Sequence, residues 1–216
     1  MKRSFLATGL AILVGISTLS LPTYATTKFV DINETPQKAA IEMLFDRGIV
    51  HGTSETTFEP DKLLNHAEGI LLLVNTFDLN LDTVRFIKEP KATDYFKNAD
   101  DAAWYAYGFI TASVNGVALD ADLLPMENWT REDFINVLVT TYEQEYNLPM
   151  VKLIPVDIAD EESITPEFSG AIQRALSYGL VELDAQNKIN PKEPLSRAEA
   201  AEMIAHLIER EIERQQ

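Results

Sequence analysis

Cysteine is absent from the 216-residue chain, which removes disulfides, thiolate metal sites and cysteine nucleophiles together. Histidine is scarce: His51, His66 and His206 are the only imidazoles, and no HExxH or comparable ligand spacing joins them. Positive charge is also in short supply, with 18 Lys and Arg against 34 Asp and Glu for a formal charge of −16. Such an excess of carboxylates argues against nucleic acid, because binding a polyphosphate needs clustered cations. It equally disfavours docking on anionic lipid. No segment gathers the basic residues enough to reverse either point, and the acidity serves solubility. The chain is 46% hydrophobic, enough to bury a core as one domain or as a few interlocked units.

Only the start of the chain is continuously apolar. Lys2 and Arg3 precede an apolar stretch from Phe5 to about Leu21, and Pro22-Thr23-Tyr24-Ala25 follows. This is the tripartite form of a secretory signal peptide spanning residues 1–25, with cleavage expected after Ala25. A retained anchor is the competing reading, but the run falls short of a comfortable span and Pro22 precedes a good cleavage site. Removing Lys2 and Arg3 leaves 16 basic against 34 acidic side chains, a charge of −18 from Thr26 onward. The expectation is a secreted protein with no membrane contact after cleavage.

What the chain does have is an internal repeat. Asn65-His66-Ala67-Glu68, Thr130-Arg131-Glu132-Asp133 and Ser196-Arg197-Ala198-Glu199 each begin with an N-cap residue and place a carboxylate three positions later, before an apolar run. The caps lie 65 and 66 residues apart. Asp133 is short for the return bond of a capping box. Upstream, Thr35-Pro36 and Thr165-Pro166 place a cap before a proline at the first helical position. Helices continuing from them stop at Gly48 and Gly179, suited to the left-handed C′ position. In the middle unit a helix of about Ala102 to Val114 stops before Gly116 in the same way. The glycine-to-cap distances are 17, 14 and 17 residues. Val30-Asp31-Ile32 echoes Val156-Asp157-Ile158, with Phe96-Lys97-Asn98 at the matching place between them. Phe58-Glu59-Pro60 echoes Ile189-Asn190-Pro191. Trp129 and Phe134 stand at the two positions of a hydrophobic staple. Each unit therefore reads as helix, loop, helix; none buries its apolar face alone, so the units must pack on one another.

A helix ending in Gly48-Ile49-Val50-His51-Gly52, then Phe58-Glu59-Pro60, then the three cap segments, resembles the S-layer homology repeat. The likeness runs over about residues 28–216, as repeats at 28–90, 91–150 and 151–216. It implies a mainly all-α fold of three helix-loop-helix repeats packed as a pseudo-threefold helical bundle, with grooves between repeats. It also implies a secreted, non-catalytic module of the cell wall or cell surface, binding secondary cell-wall polysaccharide, often pyruvylated, or another peptidoglycan-linked glycan. The family's arginine in its Thr-Arg-Ala-Glu motif contacts ligand, and it matches Arg131 and Arg197, with His66 in the first repeat. Only the first unit keeps the second glycine, as Gly52; Asp120 and Leu183 stand at the equivalent distance elsewhere. The middle unit lacks Phe-x-Pro in register.

The candidate carbohydrate-binding residues are thus Arg131, Arg197, His66 and Trp104. A guanidinium fork suits a carboxylate such as that of pyruvate, and free amides at the two helix N-termini are expected to converge there. The competing reading pairs both arginines with neighbouring acids. His66 hydrogen-bonds a sugar or simply replaces arginine. Trp104, with Tyr105 and Tyr107 nearby, stacks on a sugar ring or packs between helices. Asp31, Asp157 and Asp160 fix loops or hold calcium, but no EF-hand spacing is present and no dedicated metal site or cofactor is expected. Nucleophile elbows, phosphate loops and ligand clusters are missing, and with residues 28–216 read as repeats no separate catalytic domain or enzymatic activity is expected. The alternative to a wall anchor is a scaffold module whose partner is another surface protein. The mixed-charge end of the last helix, Glu209 to Arg214, reads as a solvated helix end.

Overall fold

Six α-helices appear in the computed structural model, which describes residues 28–149, 152 and 154–216; the expected signal peptide lies outside those residues. Helices α1 (Lys38–Asp46) and α2 (His66–Thr76) make the first unit. The middle unit has α3 (Ala106–Val114) and α4 (Arg131–Glu145), and the third has α5 (Ser169–Tyr178) and α6 (Arg197–Arg214). Isolated bridges are the only β pairing among the described residues, so the chain is mainly all-α as expected.

The second helix of each unit starts where its cap dictates. Asn65 Oδ1 accepts from the Glu68 amide at 2.9 Å and Ser196 Oγ from the Glu199 amide at 3.2 Å. Both glutamates reach back to the cap amide, closing two capping boxes. At Thr130 the return bond is missing, and the shorter Asp133 side chain accepts from the Thr130 hydroxyl instead. Gly48, Gly116 and Gly179 end the first helices at φ of +72°, +82° and +70°, where a side chain would be strained.

The first helices start later than their prolines announce. Lys38, not Pro36, opens α1, and Pro166 opens a 3₁₀ turn (Pro166–Phe168) ahead of α5. Thr165 makes no side-chain cap bond; its hydroxyl faces α4 and donates to Glu132. In the middle unit Asp100 Oδ1 accepts from the Ala102 amide at 2.9 Å, holding a turn where the helix was expected, and α3 begins at Ala106.

Each first helix packs against the second helix of a different unit: α3 on α2, α5 on α4, and α1 on α6. A single helix pair is too small to cover its own apolar face, so Ile41 and Leu44 of α1 or Ile172 and Ala175 of α5 reach full burial only through a neighbour. At the centre the three cap segments close a ring. The Leu64 amide donates to the Leu195 carbonyl at 2.8 Å, Leu195 to Trp129 at 3.0 Å, and Trp129 back to Leu64 at 2.9 Å. Their side chains are all buried. Gly69 is what lets Trp129 in, since a Cβ there would lie 2.2 Å from the indole nitrogen. The staple forms too, with the Trp129 and Phe134 rings 5.7 Å apart.

Two sequence readings need correction. The echo of Val30-Asp31-Ile32 falls three residues later than Val156-Asp157-Ile158. Asp31 accepts from the Phe58 and Glu59 amides at 3.0 and 2.7 Å, and Asp160 does the same for Ile189 and Asn190, both at 2.9 Å. Asp160, not Asp157, is therefore the partner of Asp31, and both aspartates fix loops. The end of α6 is solvated at Glu209, Ile212, Glu213 and Arg214, as expected, but not at Glu211 and only in part at Arg210. Glu211 is buried and accepts from the Tyr142 hydroxyl and from Arg214, while Arg210 lies 4.6 Å over the Tyr178 ring. Tyrosines of α4 and α5 converge on this last stretch, and burial followed by the Glu211 contact pushes the Tyr142 hydroxyl up to about 12.

Candidate functional site

The ring at the hub decides where the candidate arginines go. The first two amides of each second helix donate to loop carbonyls of another unit: Arg197 to Lys62 and Ala198 to Pro60, His66 to Glu127 and Ala67 to Pro125, Arg131 to Glu193 and Glu132 to Pro191, all at 2.8–3.0 Å. The third amide is taken by the cap side chain. The expected free amides beside Arg131 and Arg197 are therefore already occupied, and any anion recognition falls to side chains. The same bonds carry the first side chain of each helix across to a neighbouring unit, where it enters one of three grooves.

The first groove is a cavity of about 230 Å³ that holds Arg197, Trp104, His51, Gly52, Phe58 and Glu68. Arg197 donates from Nε to the Phe58 carbonyl at 3.0 Å and from Nη2 to the His51 carbonyl at 2.9 Å. Its guanidinium lies 4.5 Å from the centre of the Phe58 ring, a cation–π seat. No carboxylate forms an ion pair with it among the described residues. Burial draws its pKa down, against the pull of Glu68, Glu59 and Asp31, and an arginine so placed stays cationic. Glu68 is held by Lys62 at 2.7 Å. Gly52 shapes the wall: a Cβ there would meet the carbonyl oxygens of Ser54 and Thr57 at 2.4 and 2.5 Å. Trp104 is 61% exposed, its ring edge-on to Tyr105, so it does not pack between helices.

The second groove, about 510 Å³, contains His66 with Asp120, Asp122, Glu127 and Asp133. His66 Nδ1 sits 2.8 Å from the Leu124 carbonyl and its ring stands edge-on to Trp129. The charged groups in its lining are all carboxylates apart from His66, and Lys97 answers one of them, Asp122, at 2.6 Å. The third groove, about 110 Å³, contains Arg131, Glu182, Glu199, Glu202 and His206. Here the guanidinium is ion-paired to Glu199, and Arg131 Nε is buried without a hydrogen-bond partner. Burial raises the Glu199 pKa, but the Ser196 amide and hydroxyl and Arg131 outweigh it and hold the carboxyl below its ordinary value.

Of the four candidate residues, Arg197 and Trp104 thus share one groove, while His66 and Arg131 each stand in another. Sequence reasoning did not find the carbonyls of His51 and Phe58 or the aromatic seat beneath Arg197. The signal for the seat was present in Phe58 itself, the aromatic of Phe-x-Pro. No helix among the described residues is long and apolar enough to cross a membrane.

Residues 28–68 and 157–201 match the S-layer homology domain family. The chain is similar to an exoglucanase, XynX, of Acetivibrio thermocellus, at 26% identity over 84% of this chain and 16% of that protein. It is similar to an amylopullulanase of Thermoanaerobacterium thermosulfurigenes at 27% over 84% of this chain and 10% of the relative. A surface-layer 125 kDa protein of Lysinibacillus sphaericus is 24% identical over 96% of this chain and 17% of its own length. The chain therefore spans less than a fifth of each of these relatives.

Proposed function

We propose that this chain, two segments of which match the S-layer homology domain family, is a non-catalytic wall-anchoring module that attaches non-covalently to secondary cell-wall polysaccharide at the bacterial surface, with the Arg197 groove as its principal site. The observation that carries this reading is the state of Arg197. Its charge is met by two neutral carbonyls and a ring face, so it is held in place without being neutralised. A sugar bearing a carboxylate, such as ketal-linked pyruvate, would complete it with charge-assisted bonds, and Trp104 offers an exposed face to the sugar ring. Arg131 and His66 give the other two grooves lesser parts, one already neutralised by Glu199 and the other set among carboxylates.

Co-sedimentation of residues 26–216 with purified walls tests this. Parallel samples use walls stripped of secondary polymer and walls stripped only of pyruvate. Binding is expected to intact walls and to be lost with depyruvylation; equal binding to all three would overturn the polymer reading. The alternative, a scaffold with a surface-protein partner, draws support from the acidic second groove and the closed third one. It predicts capture of a defined surface protein with no retention by walls.

A further inference from the structure

Beside the Arg197 groove lies a fourth cavity, of about 470 Å³, lined by Leu81, Phe86, Lys91, Asp101, Tyr107 and Ile110 among others. The segment after α2 returns along α3 and leaves this space between itself and the helix. Two features make it more than a gap. Tyr107 is 64% exposed and Phe86 38%, so aromatic surface faces solvent. Around it stand Lys91, Asp101 and Glu89, polar groups at the edge of an apolar floor. Lys91 makes no ion pair among the described residues, and the Tyr107 hydroxyl has no partner there. An apolar floor with a few polar groups at its edge is the usual composition of a small-molecule site, and the volume falls in the usual range of about 300–1,000 Å³.

The start of α3 is the wall that this cavity shares with the Arg197 groove. Trp104, in the turn just before α3, lines one, and Tyr107, in the first turn of α3, lines the other. The Arg197 groove by itself, at about 230 Å³, falls short of that range. A polymer seated on Arg197 is larger than this groove, and Tyr107 stands three residues along the chain from the Trp104 that borders it.

Resting on the wall-polysaccharide reading above, the geometry points to a second sugar subsite at Phe86, Tyr107 and Lys91, which takes a further residue of the same glycan chain after it passes Trp104. The apolar faces of successive sugar rings lie on Trp104 and Tyr107, and ring hydroxyls meet Lys91, Glu89 and Asp101. The occupant is carbohydrate: net charge at the edge is mixed, and the cavity continues a groove whose cation suits an acidic sugar.

Affinity should then depend on chain length, and Tyr107 should contribute to the long chains only. Polysaccharide released from the walls of the source bacterium is split into a mono- and disaccharide fraction and a long fraction, and binding to each is measured by calorimetry. Tyr107→Ala should weaken the long fraction roughly fivefold, the scale of one lost aromatic contact, and leave the short fraction unchanged. Tyr107→Phe should behave as the parent, and thermal melts of all variants should coincide, because the side chain is exposed. Arg197→Ala serves as the control for the underlying reading and should lose both fractions. If Arg197→Ala loses both while Tyr107→Ala keeps full affinity for the long one, the second subsite is wrong and the anchor stands. If neither fraction binds the parent protein, the anchor reading itself fails and the subsite with it. Capture of a surface protein that Tyr107→Ala abolishes, without glycan binding, would assign the same patch to a protein instead.

Discussion

Arg197 and Arg131 occupy the same position of corresponding helices, yet their grooves are in opposite states. In the first groove the guanidinium is met by carbonyl oxygens and a phenyl face; in the third it is met by the Glu199 carboxylate. The capping glutamates, Glu68 and Glu199, are equivalent, so the difference arises one step further out. Lys62 stands three residues before the Asn65 cap and holds Glu68 away at 2.7 Å. At the same place before Ser196 the chain has Glu193, which cannot hold Glu199, and that carboxylate turns to Arg131. The two units thus differ by one reversed charge outside the motif, three residues before the cap.

The strongest way to break this contrast is through the wall of the open groove. Gly52→Ala should cost about 2–3 kcal/mol, because the new Cβ meets two backbone carbonyls rather than a flexible side chain, and wall retention should fall with it. Leu183→Ala at the equivalent place in the third unit should leave retention unchanged; chemical denaturation and co-sedimentation read both. Next in size, Arg197→Ala should weaken wall binding at least about tenfold, the loss of one or more charge-assisted bonds, whereas Arg131→Ala should change it less than about twofold. Equal losses from the two would dissolve the contrast. Lys62→Glu should release Glu68 onto Arg197 and weaken wall binding by roughly fivefold to tenfold, while Glu193→Lys, placed in an Arg197→Ala background, should recover part of the retention by drawing Glu199 off Arg131. A Lys62→Glu variant with full retention would show that Glu68 is held by its capping bonds alone.

The smallest effect concerns acid. The folded pKa of Glu199 is depressed, as is that of Glu132, where burial is outweighed by bonds from Lys192 and Thr165. Groups depressed in this direction contribute stability that is complete above the unfolded carboxylate value near 4.3 and is lost as pH falls through the folded one. Denaturant midpoints should therefore hold from pH 7 to about 5 and fall below about 4. Glu199→Gln should start lower and show a shallower fall, and an unchanged slope would mean the Arg131 pair contributes nothing to acid sensitivity.

What was legible in the sequence was local. Asn65, Thr130 and Ser196 announce their helices because a cap acts within three residues, and Gly48, Gly116 and Gly179 because a left-handed turn acts within one. The starts of the first helices were misplaced where a proline opens a turn rather than the α-helix itself, as at Pro166, whose 3₁₀ turn precedes α5. The site was legible as a set of residue types but not as a set of neighbours. Arg197 is fixed by carbonyls 139 and 146 positions away, and no periodicity within a unit discloses which loop its side chain will cross to. The slip from Asp160 to Asp157 has a related cause: hydrophobic echoes align a strip of sequence, whereas the loop is defined by which carboxylate reaches the amides of Ile189 and Asn190.

The ring through Leu64, Trp129 and Leu195, with α1 seated on α6, has a mechanical consequence. An open stack of repeats can be peeled from either end, one unit at a time, because the last unit is held on one side only. Here the first and third units clasp each other as each clasps the middle one, so no unit is terminal and there is no free edge at which unzipping can begin. A tether under tension would then hold until several joints fail together, giving one high rupture event where a linear array would give a series of small ones.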